Sequence, residues 1–289
     1  MYKNPMVTRI RSGSLLLLAI FIFSAPRVAA QKLYFFSVIN TDNFYRPDRQ
    51  VDAENINRMA GNISKYLNME KYTYDFGDSV NFNPETVKRT LKSIPVVPCS
   101  NDIVWFHYSG NGGNYGGGPV PALQLFGGNL EVSDVKKIIA EKNPKLLLIT
   151  IDAPNKSASA ERMSGKYLSL SKIPGALSPR VSFISSDEIP YYLVLDNYDA
   201  LFRNFDNSRV IVITSSSRGE DALSDRYKGS YWVQAFSRAI DETVNGKTGK
   251  DIWVENVSVR LDKHLSRLSK NMQHSRISVI PSSIICDEE

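Results

Sequence analysis

The sequence is short of cysteine and histidine, and it has no apolar run long enough to cross a membrane. Two cysteines, Cys99 and Cys286, are too few for a disulfide scaffold. Three histidines, His107, His264 and His274, fall in no metal-ligand spacing, so neither a metal site nor a cofactor is expected. The most apolar stretch, residues 15–23, falls short of the roughly 20 residues that a span needs. It follows Lys3, Arg9 and Arg11 and precedes Val28-Ala29-Ala30, which gives residues 1–30 the layout of a removable signal peptide. The expectation is an exported protein, secreted or periplasmic, with no membrane attachment after signal removal. Export also places both cysteines where a disulfide can form.

A surplus of charge of one sign is missing as well. The whole chain carries 35 basic and 30 acidic residues, a net +5. Residues 1–30 contain four of the basic residues (Lys3, Arg9, Arg11, Arg27) and no acidic one. The remainder is 31 minus 30, or +1, and this excludes the electrostatic footprint of a nucleic-acid partner. Residues 31–289 suffice for one α/β domain with a sizeable core, and neither an internal repeat nor a second domain is visible.

Short apolar runs alternate with amphipathic ones, the pattern of a parallel sheet covered by helices. Strands are expected at 32–40, 72–76, 102–109, 145–151, 209–214 and 277–280. The segment KLLLITI is apolar throughout, as suits a central strand buried on both faces. Helices are expected at 51–67, from the Asn83-Pro84 cap through Ile94, from Ser133 to Asn143, at 229–244 and at 254–272. Residues 110–118 read as a glycine-rich loop. The Ser- and Pro-rich stretch 155–208 reads as a flexible insert with one short helix near 196–205.

In an open parallel sheet, ligands bind at the carboxyl ends of strands. Three such ends stand out: Ser109-Gly110-Asn111-Gly112, Asp152-Ala153-Pro154-Asn155 and Ser215-Ser216-Ser217-Arg218-Gly219. The first is no dinucleotide fingerprint. G-x-G-x-x-G counted from Gly110 reaches Tyr115 where a glycine is required, and Pro119 and Pro121 forbid an immediate helix.

The segments DIVWFHYSGNGG and KLLLITIDAPNKS resemble, in order and spacing, the two catalytic strand ends of the caspases and metacaspases. There the pattern is a strand ending Y-S-G-H-G, then a strand ending D-A-C. VDAENINRMAGNISKYL, VIVITSSSRGEDALSD and GSYWVQAFSRAIDE are similar to further segments of that family, so the resemblance spans residues 32–280. It implies a three-layer α/β/α sandwich with a mostly parallel six-stranded sheet. It also implies a cysteine nucleophile, a histidine base and an oxyanion held by backbone N–H groups. The histidine falls on Asn111 and the cysteine on Pro154. Asparagine exchanges no proton near neutral pH, and proline offers neither a nucleophile nor an N–H.

No substitute is in reach. His107 lies four residues before Asn111, about 13 Å away along a strand, and Cys99 lies ~20 Å or more away at the opposite sheet end. Ser157 and Ser159 have no base to activate them. What the resemblance leaves of a binding pocket is Asp42, Gly112, Asp152, Ser215, Ser216 and Ser217, with Asp152 matching a residue that metacaspases use toward a basic side chain. The same residues also read as ordinary turn and capping residues. Three functions stay open: a pseudo-peptidase that binds a peptide or protein partner, a hydrolase using other residues, and a purely structural interaction domain.

Overall fold

A computed structural model of the chain describes residues 31–41, 46–78, 80–114, 117–156, 190–249 and 251–281. The expected signal peptide, Asp42, Ser157, Ser159 and Cys286 lie outside these residues, as does 157–189 of the expected insert.

Strands β1 (Lys32–Ile39), β2 (Glu70–Asp75), β3 (Ile103–Ser109), β7 (Leu146–Asp152) and β8 (Arg209–Thr214) run parallel, and β11 (Arg276–Pro281) closes the sheet antiparallel. The order is β11-β8-β7-β3-β1-β2, and two short strands between β8 and β11 in the chain, β9 (Ser224–Asp225) and β10 (Gly229–Ser230), pair antiparallel with each other. Every residue of β3 and β7 is buried, which is why both sequences are nearly continuous apolar runs.

Side chains alternate between two cores. Leu33, Phe35, Trp105, Leu148 and Ile211 pack beneath helices α1 (Pro47–Tyr66), α4 (Tyr191–Phe202), α5 (Tyr231–Val244) and α6 (Val259–Ser269). Tyr34, Phe36, Phe106 and Ile149 pack beneath α2 (Pro84–Ser93) and α3 (Val132–Ala140). Helix α1 presents Ile56, Met59, Ala60 and Ile63 to the sheet at helical spacing. It starts at Pro47, four residues before its first expected residue, because proline is pre-set for a first helical turn. Asn83 caps α2 as expected, its Oδ1 accepting from Thr86 N at 2.9 Å.

Three expectations need correction. Residues following Asn111 are no plain loop: β4 (Gly112–Gly113), β5 (Ala122–Leu125) and β6 (Gly128–Leu130) form a small antiparallel sheet. Leu123 and Leu125 bury on one side of it, and Gly127 turns the hairpin at φ 82°. The short helix expected near 196–205 is present but lies earlier, at Tyr191–Phe202. Tyr198, Leu201 and Phe202 of α4 and the following Phe205 join the core, and Trp253 Nε1 donates to Leu201 O at 2.7 Å. Finally, the last helix is not continuous. A π-helical turn, Ile252–Ser258, precedes α6 and buries Trp253 and Val257.

Cys99 precedes β3 at φ 59° and is disulfide-bonded. The one other cysteine of the sequence is Cys286. The register delivers the chain there: Pro281 at the end of β11 pairs with Arg209 at the start of β8, on the amino edge of the parallel strands. Cys99→Ser is therefore expected to lower stability by roughly 2–4 kcal/mol. Urea unfolding of oxidised and reduced protein checks this, and coincident midpoints would contradict it.

Candidate functional site

The last residues of β3 and β7, Ser109 and Asp152, are register partners, and Gly110 N donates to Asp152 O at 3.0 Å. This pairing brings the two following turns side by side. A Cβ on Gly112 would lie 2.8 Å from Ala153 Cβ and 3.0 Å from Pro154 O, so glycine there lets the turns touch. Asn111 and Pro154 thus sit at adjacent strand ends.

Asn111 is fixed at both ends. Its main-chain O accepts from Tyr108 OH at 2.5 Å and from Gln124 N at 3.0 Å, while its Oδ1 accepts from Arg49 Nη2 at 3.3 Å. The turn after β7 is held through backbone and neighbours. Ala153 N donates to Ser215 Oγ at 3.1 Å, Ser216 Oγ donates to Ala153 O at 2.6 Å, and Asn155 N donates to Glu220 O at 3.0 Å. Ser215 and Ser216 are fully buried and brace this turn. Ser217 donates to His274 O at 3.3 Å and accepts from Arg276 Nε at 3.1 Å, outside the cleft. Asp152 does line it.

The cleft itself is nearly closed. About 20 Å³ remains between Arg46, Arg49, Asp48, Asp52, Asp152, Pro154 and the 222–224 segment, room for a single water. Arg46 grips Asp48 with two bonds, Nε to Oδ1 at 3.0 Å and Nη2 to Oδ2 at 2.7 Å. Asp52 Oδ1 accepts from Ser230 N at 2.7 Å. Gly229 lies before it at φ 80°, and a Cβ there would fall 2.4 Å from Asp52 Oδ1, so the approach needs glycine on both counts.

Three carboxyls and two guanidinium groups therefore share one buried cluster. Burial raises Asp152 to about 6, partly offset by the Ser230 and Ser215 hydroxyls and by Arg46. Asp52 stands well above the carboxylate range through burial and then the charge of Asp152. For Asp48 burial also pushes upward, but the Arg46 bond and charge, the Ser224 hydroxyl and Arg49 outweigh it and lower the group. Asp152 Oδ1 has no hydrogen-bond partner among the described residues.

Arg46, Asp48, Arg49, Asp52 and Ser230 were not legible as site residues. The signal existed in RPDRQVDAEN, where charges recur at positions 46, 48, 49 and 52, but such residues ordinarily mark a solvated first turn. His107 is a core residue, as its strand position indicated. It is wholly buried, Nδ1 lies 2.8 Å from Thr150 Oγ1, and burial lowers it to about 3.

Neither a protein-family description nor a curated protein sequence matches the chain. Solved structures do. Protein GSU0716 from Geobacter sulfurreducens is 12% identical with a TM-score of 0.50, over 88% of this chain and 95% of that one. A caspase-1 from Spodoptera frugiperda is 13% identical with a TM-score of 0.46, over 88% of this chain and 86% of that one. The likeness to the Geobacter protein extends to the fold. The six-stranded, mostly parallel sheet between helix layers is consistent with a caspase-like fold.

Proposed function

We propose that this chain is an exported caspase-like protein that cleaves no peptide and acts by binding a protein partner. The observation that carries this reading is the contact of Arg49 with Asn111 over a cleft of about 20 Å³. Where the resemblance calls for a base and a nucleophile, an amide is bonded to the chain's own guanidinium and an imide nitrogen closes the opposite turn. Hydrolysis by the family's route lacks its histidine base and its thiol nucleophile, and the cleft lacks the space for a substrate side chain. Because the cleft is filled from within, the partner is bound elsewhere on the surface.

The test is restoration. Asn111→His alone and Pro154→Cys alone are each expected to leave cleavage of Arg- and Lys-containing peptides at the uncatalysed background, since base and nucleophile act as a unit. Any rise must await both together. A single variant as fast as the pair would contradict the assignment of these two positions.

A further inference from the structure

The sheet face carrying α2 and α3 is incompletely covered. Helix α3 packs on β7, and beyond it β8 and β11 floor an open groove of about 570 Å³. Val212, Thr214, Ser278 and Ile280 form that floor, and Pro121 and Val132 form its wall. The size falls within the roughly 300–1,000 Å³ of ordinary ligand pockets, and most of the lining is apolar. Strand β11 ends the sheet, with β8 as its one partner among the described residues, and Arg276, Ser278 and Ile280 are exposed.

We propose that this groove, together with the outer edge of β11, docks an extended segment of a partner protein. The segment turns every second residue to the groove, and these residues are apolar except for one that is acidic. The proposal rests on the non-catalytic reading above and names the surface through which that binding occurs. A strand added beside β11 sends every second side chain to the face of Arg276, Ser278 and Ile280, over the groove. Main-chain bonds along the edge then supply affinity, while the groove selects the side chains.

The charges set the acidic position. Lys136 and Arg276 line the groove against one acid, Glu131. None of the three makes an ion pair among the described residues, and Arg276 Nε is spent on the Ser217 hydroxyl at 3.1 Å. A carboxylate arriving at this rim meets two cations on a partly buried surface, where opposite charge steers and registers a partner.

The probe is a fluorescein-labelled peptide of sequence VTETVTV, in which the acid shares a face with the valines, titrated against the full chain by anisotropy. Binding is expected, weakened about tenfold in Lys136→Glu with Arg276→Glu. It should be lost in Ser278→Trp, which fills the groove from an exposed floor position, and lost for a probe N-methylated at alternate amides. Absence of binding, or affinity unchanged in both variants, would overturn the proposal. So would a dimer in sedimentation that Ser278→Trp dissolves, because the groove would then belong to a second copy. Mass spectrometry of the recovered probe separates the two readings: a cut peptide sinks the non-catalytic one and leaves the groove assignment standing.

Discussion

Arg49→Ala is expected to destabilise the domain by about 3 kcal/mol at neutral pH, an exceptional cost for a residue at the start of a helix. The side chain is 5% exposed, bonds Asn111 and holds positive charge beside Asp48 in the cluster with Asp52 and Asp152. Its removal leaves buried carboxylates short of compensation and opens a hole where the guanidinium stood. Two consequences distinguish this from ordinary loss of packing. First, methylguanidine should raise the melting temperature of the variant and leave wild type unchanged, because a ligand stabilises only the state that has room for it. Second, the cost should shrink on acidification. The folded pKa of Asp152, about 6, exceeds its ordinary value of 3.8, so between those values the folded state holds a proton that the unfolded chain releases. That group favours folding most below 3.8 and loses its advantage as pH rises through 6. Once it is neutral, less charge awaits compensation. Melting curves at pH 5 and pH 7 check the sign, and an equal cost at both would contradict the cluster's electrostatics.

His107 is expected to give the largest pH effect, in the opposite direction. Its folded pKa, about 3, lies below the ordinary 6.5, so over that interval the unfolded chain takes up a proton that the buried ring refuses. Its contribution is complete above 6.5 and is lost as pH falls to about 3, on the order of 4 kcal/mol in all. The cause is local. The ring stacks on Trp232 with centroids 6.0 Å apart, and its burial lowers the pKa. Thr150 Oγ1 accepts from Trp105 Nε1 at 2.9 Å and lies 2.8 Å from His107 Nδ1, while His107 Nε2 has no hydrogen-bond partner among the described residues. His107→Gln removes the titration and keeps a polar partner for Thr150. It should be less stable at neutral pH but fall less steeply between pH 6.5 and 3. Parallel acid limbs for the two proteins would show that the buried ring takes up its proton without unfolding.

The sheet was readable because burial on both faces leaves a direct trace. DIVWFHYS and KLLLITI have no solvent side to alternate with, and each ends in the turn where chemistry would be sought. Asn111 and Pro154 were singled out by the family resemblance, and the pairing of β3 with β7 brings their two turns together. The filling of the cleft was not readable. Arg49 meets Asn111 across 62 positions, and Asp52 meets Ser230 across 178. On its own, each is an unremarkable charge or cap near a helix start. Leu123 and Leu125 were hidden by the glycines and prolines around them, which read as loop until β4–β6 pair. Helix α4 was expected around its stripe of Tyr198, Leu201 and Phe202, but it was set five residues late at its start, because Tyr191, Tyr192 and Leu193 of its first turn are exposed and add nothing to that stripe. The bonds of the Ser215 and Ser216 hydroxyls to Ala153 O were not readable, since a turn's position does not reveal which of its hydroxyls bond backward.

The account stands on one claim, that the paired strand ends no longer cleave peptides. The direct measurement is prolonged incubation of the purified chain with peptides bearing Arg, Lys, Asp or Asn before the scissile bond, read by mass spectrometry with and without a thiol-alkylating inhibitor. The predicted result is intact peptide at the rate of a protein-free control in every case. Turnover that copurifies with the chain and survives Asn111→Ala would place catalysis elsewhere in the molecule, and turnover abolished by that substitution would contradict the account at its centre.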